Sequence, residues 1–425
     1  MLNRRVGWRA GRNPLRPSFA FGAASGALAP GMTFSRASGA TYIDGSGSLV
    51  QVGANVPRYQ GGGLLIERVP ATNSFPNPRF EGAVAGSPGT LPTGVGFVGG
   101  TTLTRTILGV GVEDGFPYID VRFTGTPATG GQILFFIVPV GFGIAGSVGQ
   151  TWSVRLHARQ IGGSPANIAT PRLSVQEYNG GSYVTESNTA FPITTTALRN
   201  NVVTHTRTLT GAATTNLCPC WQGFLTAGQS VDIDMRFGMP QIEQSPYPTS
   251  PILPPVGTPA VTSRAADLLN LDPSLVDLNR SSIAMRFRLE RGGVNVAGAG
   301  SQRILTLSDA PRSNTIEIEA NATDANPRIV SRQAGGALVP QASLVGSGAF
   351  QSVAVAWGDL TTTGSWDGRV PGTAANSPIG PATTAQIAAN GFDATPANIT
   401  LQYLRIWRGR RLSAAQVQQQ SSRTA

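Results

Sequence analysis

The 425-residue chain has no lysine, two cysteines, two histidines and only 13% charged residues. Without lysine, all 32 basic residues are arginine, which reads as compositional bias and carries no functional inference. The two cysteines, Cys218 and Cys220, flank Pro219. A bridge between them would strain disulfide geometry, and with both histidines far away in sequence they fall short of a four-ligand zinc site. They read as reduced thiols of a protein folded in a reducing compartment. No run reaches the ~18 apolar residues of a membrane-spanning helix, so no membrane insertion is expected.

What is abundant excludes as much. Fifty-three glycines and 31 prolines rule out a helical bundle or coiled coil. The 40% hydrophobic share, arranged in short patterned bursts, is enough for real cores and excludes a disordered chain. At one domain per ~150 residues, two or three domains are expected.

The net charge of +10 is unevenly spread. Arg4, Arg5, Arg9, Arg12 and Arg16 fall in the first sixteen residues with no acid among them, leaving 27 arginines against 22 acids elsewhere. A body at +5 argues against nucleic-acid binding, which needs a dense cationic surface. The Ala- and Gly-rich stretch 19–29 makes a poor export signal. Residues 1–32 are therefore expected to be an extended arm. It is either a solvated tail or a segment whose Trp8 and arginines order on docking into an acidic socket of another protein.

Alternation of period two recurs beyond the arm. Val231, Ile233, Met235 and Phe237 oppose Asp232, Asp234 and Arg236. Trp152, Val154, Leu156 and Ala158 oppose Ser153, Arg155, His157 and Arg159, and 118–123 forms a third such strand. Residues 76–247 read as one antiparallel β-sandwich. The stretch 248–279 is stiffened by Pro251, Pro254, Pro255 and Pro259 and reads as a linker with one short helix. Alternation resumes at Ile283, Met285, Phe287 and Leu289. Further strands are expected at 304–307, 315–320, 353–357 and 399–407, the last central and bulged near Tyr403 and Leu404. These close a second sandwich over 280–412. Ser413 and Gln416 form a capping box opening a short helix within the terminal segment 413–425. The expected class is all-β, two antiparallel sandwiches joined by a Pro-rich linker.

Several stretches carry a resemblance. Residues 33–73, TFSRASGATYIDGSGSLVQVGANVPRYQGGGLLIERVPATN, resemble a leader, here taken as 33–75, found in many structural proteins of tailed bacteriophages. SFPNPRFEG at 74–82 with LPTG at 91–94 looks like the opening of the carbohydrate-binding-module-like sandwich that often follows it, and 241–271 resembles their linker. From Ser281 the chain is similar to a concanavalin A-like, laminin-G-type jelly roll, through VAVAW at 353–357, WDG at 366–368 and LRIWRGRRLS at 404–413. The resemblance implies a fibre, head spike or tail appendage of a phage or gene transfer agent. It implies a homo-oligomer in the virion, assembled in the bacterial cytoplasm, with other virion proteins and host surface polysaccharide as partners. Docking through Arg4, Arg5, Trp8, Arg9, Arg12 and Arg16 follows from the same reading. No enzyme activity, cofactor, metal or nucleic acid is expected.

Glu317 and Glu319 share a strand face ~6.6 Å apart, inside the ~5–9 Å range of glycosidase carboxylates. The pattern familiar from glycosidases on concanavalin-like folds has a third acid, and here Ala320, Asn321 and Ala322 follow. A solvated polar face paired with arginines is the favoured reading, and a polysaccharide depolymerase the alternative, beside a purely architectural adaptor. His157 and His205 read as polar-face strand histidines without a nucleophile elbow. Gly61, Gly62 and Gly63 lack the Lys-Ser/Thr of a phosphate loop and read as a turn. Trp366 and Asp367 are the carbohydrate-binding candidates, because Gly368 implies a turn exposing both, although a simple Asp-Gly hairpin is the stronger reading. Trp152, Trp357 and Trp407 are expected in cores.

Overall fold

The computed structural model describes residues 16–99, 103–138, 143–290, 302–310, 313–320, 327–333, 350–375, 377–388 and 397–422. The chain is all-β, built from antiparallel sheets that form two compact units.

The first unit takes its described residues from Met1–Arg36, Val56–Val69 and Asp267–Ala425. Its larger sheet runs Gly372–Ala374, Thr361–Trp366, Gln351–Gly358, Ser281–Leu289, Asn398–Arg408, Gly63–Glu67 and Arg58–Gln60, with Phe19–Gly22 also on Asn398–Arg408. Its smaller sheet runs Met32–Ser35, Leu268–Leu271, Thr384–Ile387, Gln302–Ser308, Thr315–Ala320 and Pro327–Arg332. One core joins both: Ile283, Met285 and Phe287 from the first meet Leu305, Leu307, Ile316 and Ile318 from the second. Each such side chain contributes ~1.5–3 kcal/mol by leaving water. Asn398–Arg408 is central, as its two-sided apolar character requires, and its register slips at Gln402, next to the expected bulge.

The second unit, Ala37–Asn55 with Pro70–Ala266, is the other sandwich. A five-stranded sheet runs Val202–Thr208, Thr151–Ser164, Val231–Glu243, Phe116–Gly125 and Thr104–Glu113. It faces a sheet of Ser182–Ala190, Ile168–Asn179, Asn216–Leu225, Gly131–Phe136 and Gly96–Gly99, with Ile144–Ala145 at Asn216–Leu225. Val231, Ile233, Met235 and Phe237 are all buried, as are Trp152, Val154, Leu156 and Ala158. The Phe237 ring stacks on Phe135 at 4.4 Å and meets Trp221 edge-on at 5.4 Å.

Three local readings differ from the structure. The expected arm already folds at Phe19–Gly22, where Phe19 and Phe21 enter the core opposite Ile406 and Leu404; a four-residue alternation is too short to stand out. The leader is divided: Arg58–Gln60 and Gly63–Glu67 belong to the first unit, while Ala40–Ile43 pairs with Leu49–Val52 in the second. The expected linker supplies strands Thr262–Arg264, paired with Ala71–Asn73, and Leu268–Leu271, paired with Met32–Ser35. The prolines end at Pro259, and Leu269 and Leu271 alternate after them.

The terminal helix, Ala414–Gln420, opens with the expected reciprocal Ser413–Gln416 capping box. Val417 and Leu412 bury Trp407 together with Ala284, Ala354 and Ala356 on the outer face of the larger sheet.

Candidate functional site

The smaller sheet of the first unit has an unusual outer face. Because Leu269, Leu271, Ala385, Ile387, Leu305, Leu307, Ile316 and Ile318 point into the core, period two sends their neighbours the other way. Register then aligns those neighbours across the sheet. Thr33 pairs with Asn270, Asn270 with Gln386, Gln386 with Thr306, and Thr306 with Glu317. A parallel row runs Thr384, Ser308, Thr315 and Arg332. At ~4.8 Å per strand the two rows make a polar tract several strands wide.

Much of this tract is buried without internal satisfaction. Asn270 Oδ1, Gln386 Oε1, Thr306 Oγ1, Ser308 Oγ and Thr315 Oγ1 are buried atoms with no hydrogen-bond partner among the described residues. Thr306, Ser308 and Thr315 are wholly inaccessible. A buried polar group left unpaired costs ~1–3 kcal/mol, and native chains leave few of them. The hydroxyls of Thr306, Ser308 and Thr315 are thus covered, and the tract reaches the surface at its other end, where Thr33 is exposed and Asn270, Gln386 and Thr384 are half-buried. Hydroxyl and amide groups in such a row suit a ligand rich in hydroxyl groups.

Glu317 and Glu319 stand at the edge of this tract, and their setting is the opposite of a solvated face. Both are buried. Glu319 is clasped by Arg303 on one oxygen and Arg328 on the other, its direct cross-strand neighbours. Arg303 Nε also lies 3.3 Å from Glu317 Oε2. The expected pairing with arginine is present, but the solvation is not: these acids alternate with core isoleucines on a strand whose outer face is covered as well. The guanidiniums occupy both oxygens of Glu319, which a general acid or nucleophile has to present to a substrate.

Trp366 and Asp367 are not a sugar platform. Trp366 is 2% exposed and meets Phe287 edge-on at 6.2 Å inside the core. It is the last strand residue and points inward. The turn itself is made by Asp367 (φ 46°) and Gly368 (φ 75°), closed by Arg369 N–H donating to Trp366 O at 2.9 Å. Two successive positive φ values define the type I′ hairpin that Asp-Gly favours. The Asp367 carboxylate accepts from Ser352 N–H at 2.9 Å. Of the docking residues, Arg4, Arg5, Trp8, Arg9 and Arg12 lie outside the described residues, and Arg16 is exposed.

Both histidines are buried rather than on a polar face. His157 Nδ1 is 3.0 Å from Leu198 O and the ring lies 4.8 Å from Phe116. Burial, with a smaller push from Arg155, lowers its pKa to about 3. His205 sits between Ser187 Oγ at 2.8 Å and Thr189 Oγ1 at 2.9 Å, joining edge strands of the two sheets of its sandwich. Cys218 and Cys220 are free and buried. Burial pushes Cys218 up to about 12 and Cys220 well above its usual value.

The polar tract was missed in the sequence because each strand alone shows only an ordinary alternation, such as Leu305-Thr306-Leu307-Ser308. Register between strands distant in sequence creates the row.

No protein-family model and no curated protein matches the chain. Among solved structures, it is similar to domain 4 of AbnA, a GH43 extracellular arabinanase from Geobacillus stearothermophilus, in complex with arabinotriose. That likeness has 16% identity, covers 37% of this chain and 73% of that one, and has a TM-score of 0.30. The tandem CBM22 domains of Paenibacillus barcinonensis Xyn10C are 9% identical over 77% of this chain and 99% of theirs, with a TM-score of 0.22. Trypanosoma rangeli sialidase is 9% identical over 92% and 98%, with a TM-score of 0.27. These low-scoring likenesses are to carbohydrate-binding-module, glycoside-hydrolase and sialidase proteins, and no phage or fibre family is among them.

Proposed function

We propose that this chain is a non-enzymatic glycan-contacting subunit whose polar tract lies against an extended polysaccharide at its open end, formed by Thr33, Asn270, Gln386 and Thr384. The observation that carries the reading is the row of exposed and half-buried hydroxyl and amide side chains that register aligns on three adjacent strands. A polysaccharide offers hydroxyl donors and acceptors along a repeating chain, matching a surface whose own groups repeat with the strands. The ion-paired setting of Glu319 supports a binding rather than a hydrolytic role.

The finer proposal is that the subunit belongs to a phage-like appendage, attaches by its arginine-rich N-terminal segment and works as a homo-oligomer at the host surface. Its support is the resemblance of residues 33–73 and 241–271 to phage structural proteins, together with the five clustered arginines. Linked copies would raise avidity ~10²-fold or more over a single weak contact.

Retention of the full chain on immobilised host polysaccharide, compared with its Gln386→Val variant, tests the binding role. Binding is expected to fall while the fold is kept.

A further inference from the structure

The second unit contains a cleft of about 590 Å³ at one end of its six-stranded sheet, remote in sequence from the polar tract of the first unit. Its volume lies within the ~300–1,000 Å³ usual for small-ligand sites. Ile168, Pro171, Pro192 and Ile193 give it aliphatic walls, and Arg172 and Asn188 supply polar groups.

Two features mark it as a built site. The first is backbone strain. Pairing between Ile168–Asn179 and Asn216–Leu225 slips between Ala169 and Arg172, and Thr170 in that bulge has φ 42°. A β-branched residue in the left-handed region costs ~1–3 kcal/mol and persists where its surroundings hold it. Here Phe191 N–H donates to Pro171 O at 2.8 Å, tying one wall of the cleft to the bulge. The second feature is a prearranged cation. Arg172 Nη2 is 2.7 Å from Glu186 Oε1, and the guanidinium lies 4.6 Å over the Phe224 ring. Salt-bridged and stacked, the guanidinium keeps its donors in fixed directions.

These features restrict the ligand. Arg172 is already neutralised by Glu186, which disfavours an anion. Among the described residues the lining contains no aromatic ring, so it offers no flat platform on which a plain pyranose stacks. Aliphatic walls reward a compact methyl group, while Asn188 and Arg172 can pair with an amide. We infer that this cleft binds a neutral sugar through its acetamido substituent, with the methyl against Ile168, Pro171, Pro192 and Ile193 and the amide at Asn188 and Arg172. The inference concerns a different unit from the polysaccharide tract and stands or falls separately.

Saturation-transfer NMR on the full chain, with methyl N-acetylglucosaminide, methyl glucoside and methyl rhamnoside as probes, reads it directly. The acetyl methyl is expected to receive the strongest transfer, and Asn188→Ala, at an exposed position, to weaken binding ~5-fold, the loss of about one hydrogen bond. Pro192→Ser, also exposed, is expected to reduce transfer to the methyl, while both variants keep wild-type retention on polysaccharide. Equal transfer to the glucoside, a preference for the rhamnoside, or acetamido binding unchanged in both variants would overturn the inference.

Discussion

Arg58 and Asp267 are 209 residues apart in sequence and form a fully buried ion pair at 2.5 Å. The other end of the guanidinium reaches Glu67 at 2.9 Å, and Arg36 binds the second Asp267 oxygen at 3.1 Å. Glu67 N–H also donates to the Asp267 carboxylate at Oδ2, and Asp267 N–H donates to the Glu67 carbonyl. The stretches resembling a phage leader and a phage linker thus meet in one charged cluster inside the first unit. Burial lowers the Arg58 pKa, but Glu67 and Asp267 outweigh it and the net direction is upward.

Removing one partner from such a cluster leaves a buried charge uncompensated, at a cost of ~3–5 kcal/mol. Asp267→Asn is therefore expected to destabilise the chain by about that amount, measured by urea denaturation. A loss below ~1 kcal/mol, the range of exposed pairs, would mean that the cluster is solvated.

His157 sets an acid limit on stability. Its folded pKa of about 3 lies below the ordinary value of 6.5, so between those values the unfolded chain binds the extra proton. Stability is then fully present above pH ~6.5 and falls as the pH drops toward 3, by up to ~1.4 kcal/mol per unit. His157→Gln is expected to flatten this part of the stability curve. Identical slopes for both proteins between pH 4 and 6.5 would refute the assignment.

Cys218 and Cys220 are expected to resist alkylation. Thiolate is the reactive form, and burial raises both thiol pKa values. Iodoacetamide at pH 8 should leave the folded chain unlabelled and add two groups in denaturant. Rapid labelling of the native chain would contradict the placement.

Under the appendage proposal, deleting residues 1–16 should strip the protein from particles while leaving its fold intact, because the first described strand begins at Phe19. The deletion removes all five clustered arginines. Attachment should also weaken with salt, since exposed charges are screened beyond ~8 Å at physiological ionic strength. Wild-type occupancy by the truncated chain would place docking elsewhere.

The regular strands were legible because the alternation of residues such as Val231, Ile233, Met235 and Phe237 survives over several turns of the pleat. The terminal helix was legible from its cap, since Ser413 and Gln416 act locally. Phe19–Gly22 and Leu268–Leu271 were not, being four-residue strands whose partners lie far along the chain. Trp366 was misplaced by one residue of geometry: the turn belongs to Asp367 and Gly368, while the tryptophan keeps the inward direction of its strand. The burial of Glu317 and Glu319 was invisible because a Thr-Ile-Glu-Ile-Glu pattern looks the same whether its polar face meets water or arginines.

The polar tract is tested most directly by Gln386→Val, a substitution that removes one amide from a half-buried position at its open end while keeping a residue that suits a strand. If the amide serves the fold, its loss lowers the melting temperature; if it serves a ligand, stability is unchanged or rises while binding falls. Paired measurement of thermal stability and polysaccharide retention is expected to show a melting temperature at or above wild type with retention reduced ~5-fold or more. Retention equal to wild type, or a melting temperature that falls with it, would contradict a binding role for the tract.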